Sequence, residues 1–371
     1  MAKLRFATFL APRAASGPAP AAEKSGGSRR NCFNTLRLGA AVAVLVSHSF
    51  ALAGRHEPSI GPETIGRVAV LVFFAISGFL ITQSWRREPH LGRYLLKRGL
   101  RILPALIGVL VLTALVLGPV VTTRPAGSYL DSWETWSYIL HNTAFRMVYE
   151  LPGVFVTNPY PRLVNASLWT LPVELRAYLM VAALGLLGML GARALATMAF
   201  IAVYVAPALA PHLASTLMGE PHLTRAFVVG ALLYLWQDRL PWRAWIAVPL
   251  VAIWVLRANS GAGPTLAVIA VAYTTILVAH HGPAALQRLT RRRDISYGIY
   301  LWAFPVQQTT ALVWKDITPL ELMAVALPIA SLLAMASWTL IEQPALRLKS
   351  LGQRRSATAE RTPAPVVVTR S

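Results

Sequence analysis

Three features of the chain imply an all-α fold, a polytopic transmembrane helical bundle of about ten spans with both termini cytoplasmic. Of 371 residues, 55% are apolar and only 13% charged, with a mean hydropathy of +0.52; soluble domains carry about 25% charged residues. Several apolar runs reach the roughly 20 residues a helix needs to cross a hydrocarbon core. The basic residues lie between these runs and favour alternate connections, the pattern that marks cytoplasmic loops.

Reading apolar runs against their charged borders places spans at about 33–54, 64–84, 102–121, 167–190, 194–212, 223–237, 241–257, 263–281, 295–314 and 319–341. An even number of spans puts the termini on one side, and the distribution of the 35 Lys and Arg residues makes that side the cytoplasm. Residues 1–31 are rich in Ala, Pro, Ser, Gly and basic groups. Their one apolar patch, FATFLA, is shorter than a signal-peptide core of roughly 7 to 15 residues, so they read as a disordered cytoplasmic tail. Residues 349–371 read likewise, leaving 32–348 as the membrane domain. The connection 122–166 falls outside and carries Trp133, Trp136, Tyr138, Tyr149 and Tyr160. It reads either as a roof over a site or as an interfacial aromatic belt.

Composition also excludes several classes. A net charge of +20 would suggest nucleic acid in a soluble protein, but here the basic residues border apolar spans, so no nucleic-acid partner is expected. The single cysteine, Cys32, excludes an intramolecular disulfide and a paired-thiol zinc site. No P-loop, dinucleotide-binding glycine pattern or HExxH motif occurs, and no metal site is expected.

The polar residues inside the spans carry the chemistry. Arg37 and His48 are eleven residues apart, which places them on one face of the first helix, roughly 16 Å apart along its axis. In SLWTLPVELRAYLM, counting inward from the apolar border sets Glu174 at a depth similar to that of His48. A carboxylate beside an imidazole at that depth would orient it and raise its basicity, the arrangement of a general base with its partner. The plainer alternatives are a His hydrogen-bonded to a neighbouring helix and an insertion-aiding pair of Glu174 with Arg176. Ser77 and Gly78, in VFFAISGFLIT, allow close approach of a helix or of a ligand. Arg93, Lys97 and Arg101 line one helical face, and Arg98 and Arg101 suit either a phosphate-bearing ligand or topology signalling alone.

Together, NTLRLGAAVAVLVSHSF, VFFAISGFLIT, LLKRGLRILPAL, VNASLWTLPVELRAYL, ISYGIYLWAFPV and IEQPALRL, in this order over residues 33 to 348, resemble the integral membrane acyltransferase type 3 family. Its members O-acylate sugars of lipopolysaccharide, exopolysaccharide, nodulation factors and some antibiotics. The resemblance implies that His48 is the base acting on the acceptor hydroxyl, with Glu174 as its catalytic partner. It implies acyl-CoA contacts at Arg37, Arg98, Arg101, Ser77 and Gly78, and acceptor contacts at Trp169, Tyr300 and Trp302. An aspartate common shortly before the first arginine of the family is Asn34 here, so a salt bridge from that position is lost, and Gln343 stands where Arg is common.

The expected activity is therefore transfer of an acyl group, foremost acetyl, from cytosolic acyl-CoA to a sugar hydroxyl in the inner membrane. Acyl-CoA would serve as co-substrate with no permanently bound cofactor, and the partners would be the glycan acceptor and membrane lipid. A proton-coupled transporter or flippase using His48 and Glu174 as a relay is the alternative.

Overall fold

The computed structural model describes residues 31–210, 212, 216, 218–290 and 294–347. The tails expected at 1–31 and 349–371 lie outside the described residues, apart from residue 31.

The described chain is helical, and its only strands are a two-residue antiparallel pair, Ser59–Ile60 with Glu63–Thr64. We number the principal helices α1 (Phe33–Leu52), α2 (Ile65–Arg87), α3 (Leu91–Leu112, continued through a π turn to Val121), α4 (Trp133–Thr143) and α5 (Leu171–Leu186). They continue as α6 (Arg193–Leu209), α7 (Pro221–Leu235), α8 (Ala244–Leu256), α9 (Gly263–His281), α10 (Ser296–Val313) and α11 (Pro319–Ser337, continued to Arg347). Every one of the ten expected runs falls on a helix.

Six of these helical stretches, Phe33–Leu52, Ile65–Arg87, Leu91–Val121, Ala166–Leu186, Gly263–His281 and Pro319–Arg347, are long and apolar enough to cross a membrane. Helices α6, α7 and α8 have 17, 15 and 13 residues. At 1.5 Å per residue they fall short of a hydrocarbon core of about 30 Å. Helix α10, with 18 residues, carries Gln307, Gln308, Thr309 and Thr310 near its far end.

Local chemistry sets the helix starts. The Thr64 side chain accepts from Arg67 N, and Thr318 forms a capping box with Glu321. The His90 side chain accepts from Arg93 N, so α3 begins at Leu91, well before its apolar run at 102. The basic stretch is therefore part of the helix itself.

Close approach of small residues builds the centre. A Cβ on Gly78 would lie 1.8 Å from the Phe227 carbonyl oxygen, and one on Gly230 would lie 2.1 Å from that of Ala75. Helices α2 and α7 therefore cross with their backbones in contact. Helix α1 packs on α2 and α10, and α10 on α11.

Helices α1 and α10 run parallel. Arg37 lies 3.8 Å from Asp294, the His48 ring meets Phe304 edge-on at 5.1 Å, and Gln307 donates to the Leu45 carbonyl and to Ser49 Oγ. Pro305 has no N–H to give the Leu301 carbonyl. Asn165 Nδ2 donates to that oxygen instead, at 2.9 Å, which fixes the end of the long connection onto α10.

Candidate functional site

A cavity of about 320 Å³ lies between α1, α2, α3, α5 and α10. One end is basic, with Arg37, Lys97, Arg98 and Arg101 in its wall; Ser77, Thr170, Glu174, Tyr178, Ser296, Tyr297 and Tyr300 supply the remaining polar lining.

The four cations are not equivalent. Arg101 donates to Asp294 Oδ2 at 2.7 Å, Arg37 shares the same oxygen at 3.8 Å, and Arg101 also lies 3.7 Å from Glu342. Lys97 is bound to Glu88, as is Arg93. Hydrogen bonds from Lys97 and Arg93 hold the Glu88 carboxyl below its usual range. Arg98 has no carboxylate partner among the described residues. Its guanidinium lies 5.9 Å from the Tyr178 ring centroid and 6.0 Å from that of Tyr94, contacts that orient a planar cation without neutralising it.

Deeper in the cavity the tyrosines are fixed by hydrogen bonds. Tyr178 donates its hydroxyl to the Glu174 carboxylate, one turn away on the same helix face. The Tyr94 hydroxyl donates to the Tyr178 carbonyl at 3.0 Å. The Tyr300 hydroxyl donates to the Ser167 carbonyl at 2.8 Å and meets the Thr170 hydroxyl at 2.8 Å. These partners hold a polar lining in one geometry inside an otherwise apolar bundle.

Of the residues singled out from sequence, Arg37, Arg98, Arg101, Ser77, Glu174 and Tyr300 line this one cavity. His48 does not. Its ring meets Phe304 edge-on, one turn beyond Tyr300 on α10, and its Nδ1 is buried with no hydrogen-bond partner among the described residues. Glu174 lies in the opposite direction. From Thr170, at the Tyr300 hydroxyl, α5 runs back toward Tyr178 and the basic end.

The two residues therefore diverge by about one helical turn each from the level of Tyr300, and no hydrogen bond joins them among the described residues. The expected equal depth is corrected: the offset is set by where α1 and α5 pack along α10, and the 3-10 turn Ala166–Thr170 before α5 adds only about 2.5 Å to an α-helical count.

Four other residues singled out from the sequence lie outside this cavity. Gly78 faces the Phe227 backbone across the α2–α7 crossing rather than the cavity. Trp302 lines a separate apolar groove with Leu112, Val116 and Trp314, because a residue two positions from Tyr300 points to the other side of the helix. Trp169 is in neither lining. Arg176 reaches toward Gly219 rather than pairing with Glu174.

The sequence reading missed Asp294, Tyr178 and Tyr297. Tyr178 was visible as the i+4 neighbour of Glu174. Asp294 follows three arginines and was absorbed into a loop read only for its positive charge.

A family model described as an acyltransferase domain matches residues 30–342. The chain is 30% identical over 304 residues to an O-acetyl transferase of Shigella phage Sf6, covering 76% of this chain and 85% of that protein. It is 33% identical over 379 residues to nodulation protein 10 of Rhizobium leguminosarum bv. viciae, covering 92% of this chain and 100% of that protein. No solved structure matches.

Proposed function

The chain belongs to the acyltransferase family whose model spans residues 30–342, and on that premise we propose a membrane O-acyltransferase that moves acetyl from cytosolic acetyl-CoA to a sugar hydroxyl. The acceptor is a cell-surface polysaccharide, a lipid-linked glycan or a glycoside, and the membrane is the inner one. The observation that carries this reading is the cavity with Arg98 in its wall: an oriented guanidinium without a carboxylate, beside Arg37, Lys97 and Arg101. A guanidinium held in that state suits the phosphates of a nucleotide thioester.

In this reading the basic end faces the cytoplasm and takes the nucleotide portion of acetyl-CoA. The pantetheine arm extends past Ser77 and Tyr178 to the level of Tyr300, and the acceptor hydroxyl arrives from the opposite side at His48. A buried ring nitrogen without a partner leaves roughly 1 to 3 kcal/mol of unmet hydrogen bonding, and a substrate hydroxyl supplies it. The imidazole takes the hydroxyl proton while the oxygen attacks the thioester carbonyl carbon. The carbon–sulfur bond breaks, and the CoA thiolate leaves with the proton returned by the imidazolium. Glu174 acts through Tyr178, holding that ring against Arg98, rather than by touching His48.

The test is titration of the purified protein in detergent with acetyl-CoA by calorimetry. Arg98→Gln is expected to weaken binding at least tenfold, about 1.4 kcal/mol, with the protein still folded. Equal affinity in wild type and variant overturns the assignment of this cavity to acyl-CoA.

A further inference from the structure

The connection 122–166 is folded and holds a second cavity, of about 500 Å³, a size that suits a small polar ligand. Arg124, Arg162, Glu134 and Glu150 line it, together with Ser137 and Thr123. None of these four charged groups forms an ion pair with another among the described residues. Guanidiniums only donate, carboxylates only accept, and a sugar hydroxyl does both. A wall that carries two of each, with no net charge, is matched by vicinal hydroxyls and gives an ionic ligand no advantage.

The wall is built rather than fluid. Phe155 and Arg162 adopt left-handed backbone, φ 53° and 62°, a conformation that strains a non-glycine residue. Arg162 N donates to the Phe155 carbonyl at 3.0 Å, Thr123 N to that of Gly153 at 3.0 Å and the Thr122 hydroxyl to that of Pro152 at 2.7 Å. Asn158 and Gln308 join side chain to side chain at 2.7 Å, and Gln308 donates to the Tyr160 and Leu163 carbonyls. The turn at Arg162 sends the next residue, Leu163, into an apolar cluster with Leu52, Phe304 and Leu322. Phe304 is the ring that His48 meets edge-on. The cavity wall and the chain packed on Phe304 are thus one continuous stretch.

We propose that this cavity docks an uncharged sugar unit of the acceptor, gripped by Arg162 and Glu150, on the same stretch of chain that packs against Phe304 beside His48. The proposal rests on the glycan-acceptor reading above and adds to it where the acceptor is recognised.

The test uses membranes containing the full chain, radiolabelled acetyl-CoA, and the total carbohydrate fraction of the parent strain with this gene deleted, titrated by hexose content. Arg162→Gly keeps the left-handed backbone while removing the guanidinium, and Glu150→Gln keeps the shape while removing the charge. Each is expected to raise the half-saturating carbohydrate level at least fivefold and leave the half-saturating acetyl-CoA level unchanged. An unchanged carbohydrate requirement overturns the docking site. So does a parallel rise in the acetyl-CoA requirement, which marks a general folding role. Wild-type membranes that bind acetyl-CoA but esterify none of this carbohydrate fail the broader reading instead, and take this site's ligand with it.

Discussion

Asp294 organises the basic end by answering two cations with one carboxylate. Burial pushes its carboxyl up, but Arg101 and Arg37 outweigh that and hold it below the usual range. It also accepts from the Ser296 hydroxyl at 2.5 Å. Asn34, three residues before Arg37, carries no charge, and Arg37 is balanced by Asp294 from the loop before α10. Asp294→Asn leaves two partly buried guanidiniums under-compensated and is expected to lower stability by about 3 kcal/mol. Because the folded-state value is depressed, the carboxylate's contribution is complete above the ordinary carboxyl range and lost as pH falls through its lowered value. Thermal unfolding in detergent should show a constant gap between wild type and variant from pH 8 to 5, closing below about pH 4. A gap that persists undiminished at pH 3 would mean that Asp294 acts by shape rather than charge. Reading the loop before α10 by net charge alone hid this residue, since topology counting is blind to a carboxylate among arginines.

Among the elements, the α2–α7 crossing shows where a sequence pattern has two readings and packing selects one. Gly78 lacks a side chain so that a helix, not a ligand, can approach. Gly78→Ala would place a Cβ 1.8 Å from a backbone oxygen, and backbone moves less readily than a side chain. The expected loss is about 3 kcal/mol, seen as a lowered unfolding midpoint. Gly39→Ala in α1 is the control, since a Cβ there meets nothing within 4 Å and the helix gains about 0.5 to 1 kcal/mol. Equal stability of Gly78→Ala and wild type would refute the contact. Helix positions were legible because apolar runs leave few other structures in lipid. Helix starts were not: α3 extends through residues that are polar yet good helix formers, and the 3-10 turn before α5 has no apolar signature. That turn shifts Glu174 by only about 2.5 Å; most of its separation from His48 comes from where α1, α5 and α10 sit along one another.

At the scale of the whole molecule, the helices divide the polar residues into a basic cavity at one end of the bundle and His48 one turn beyond its far limit. The folded 122–166 connection lies over the cluster that includes Phe304. The polar residues within the spans, together with the family resemblance, put Arg37, Ser77, Arg98, Arg101, Glu174 and Tyr300 on one list, and they line one cavity. What the sequence could not supply was the axial order, which depends on how α1, α5 and α10 slide past one another. In the proposed reaction that separation is spanned by substrate: thioester from the basic end, hydroxyl from the loop end, imidazole where they meet. The decisive measurement is label transfer from radiolabelled acetyl-CoA to base-labile carbohydrate ester in membranes, comparing wild type with His48→Ala at equal amounts of folded protein. Transfer should fall at least a hundredfold, in keeping with loss of a general base, while calorimetric acetyl-CoA affinity stays within twofold. Transfer retained by the alanine variant would remove His48 from the chemistry and, with it, the meeting point on which the reaction depends.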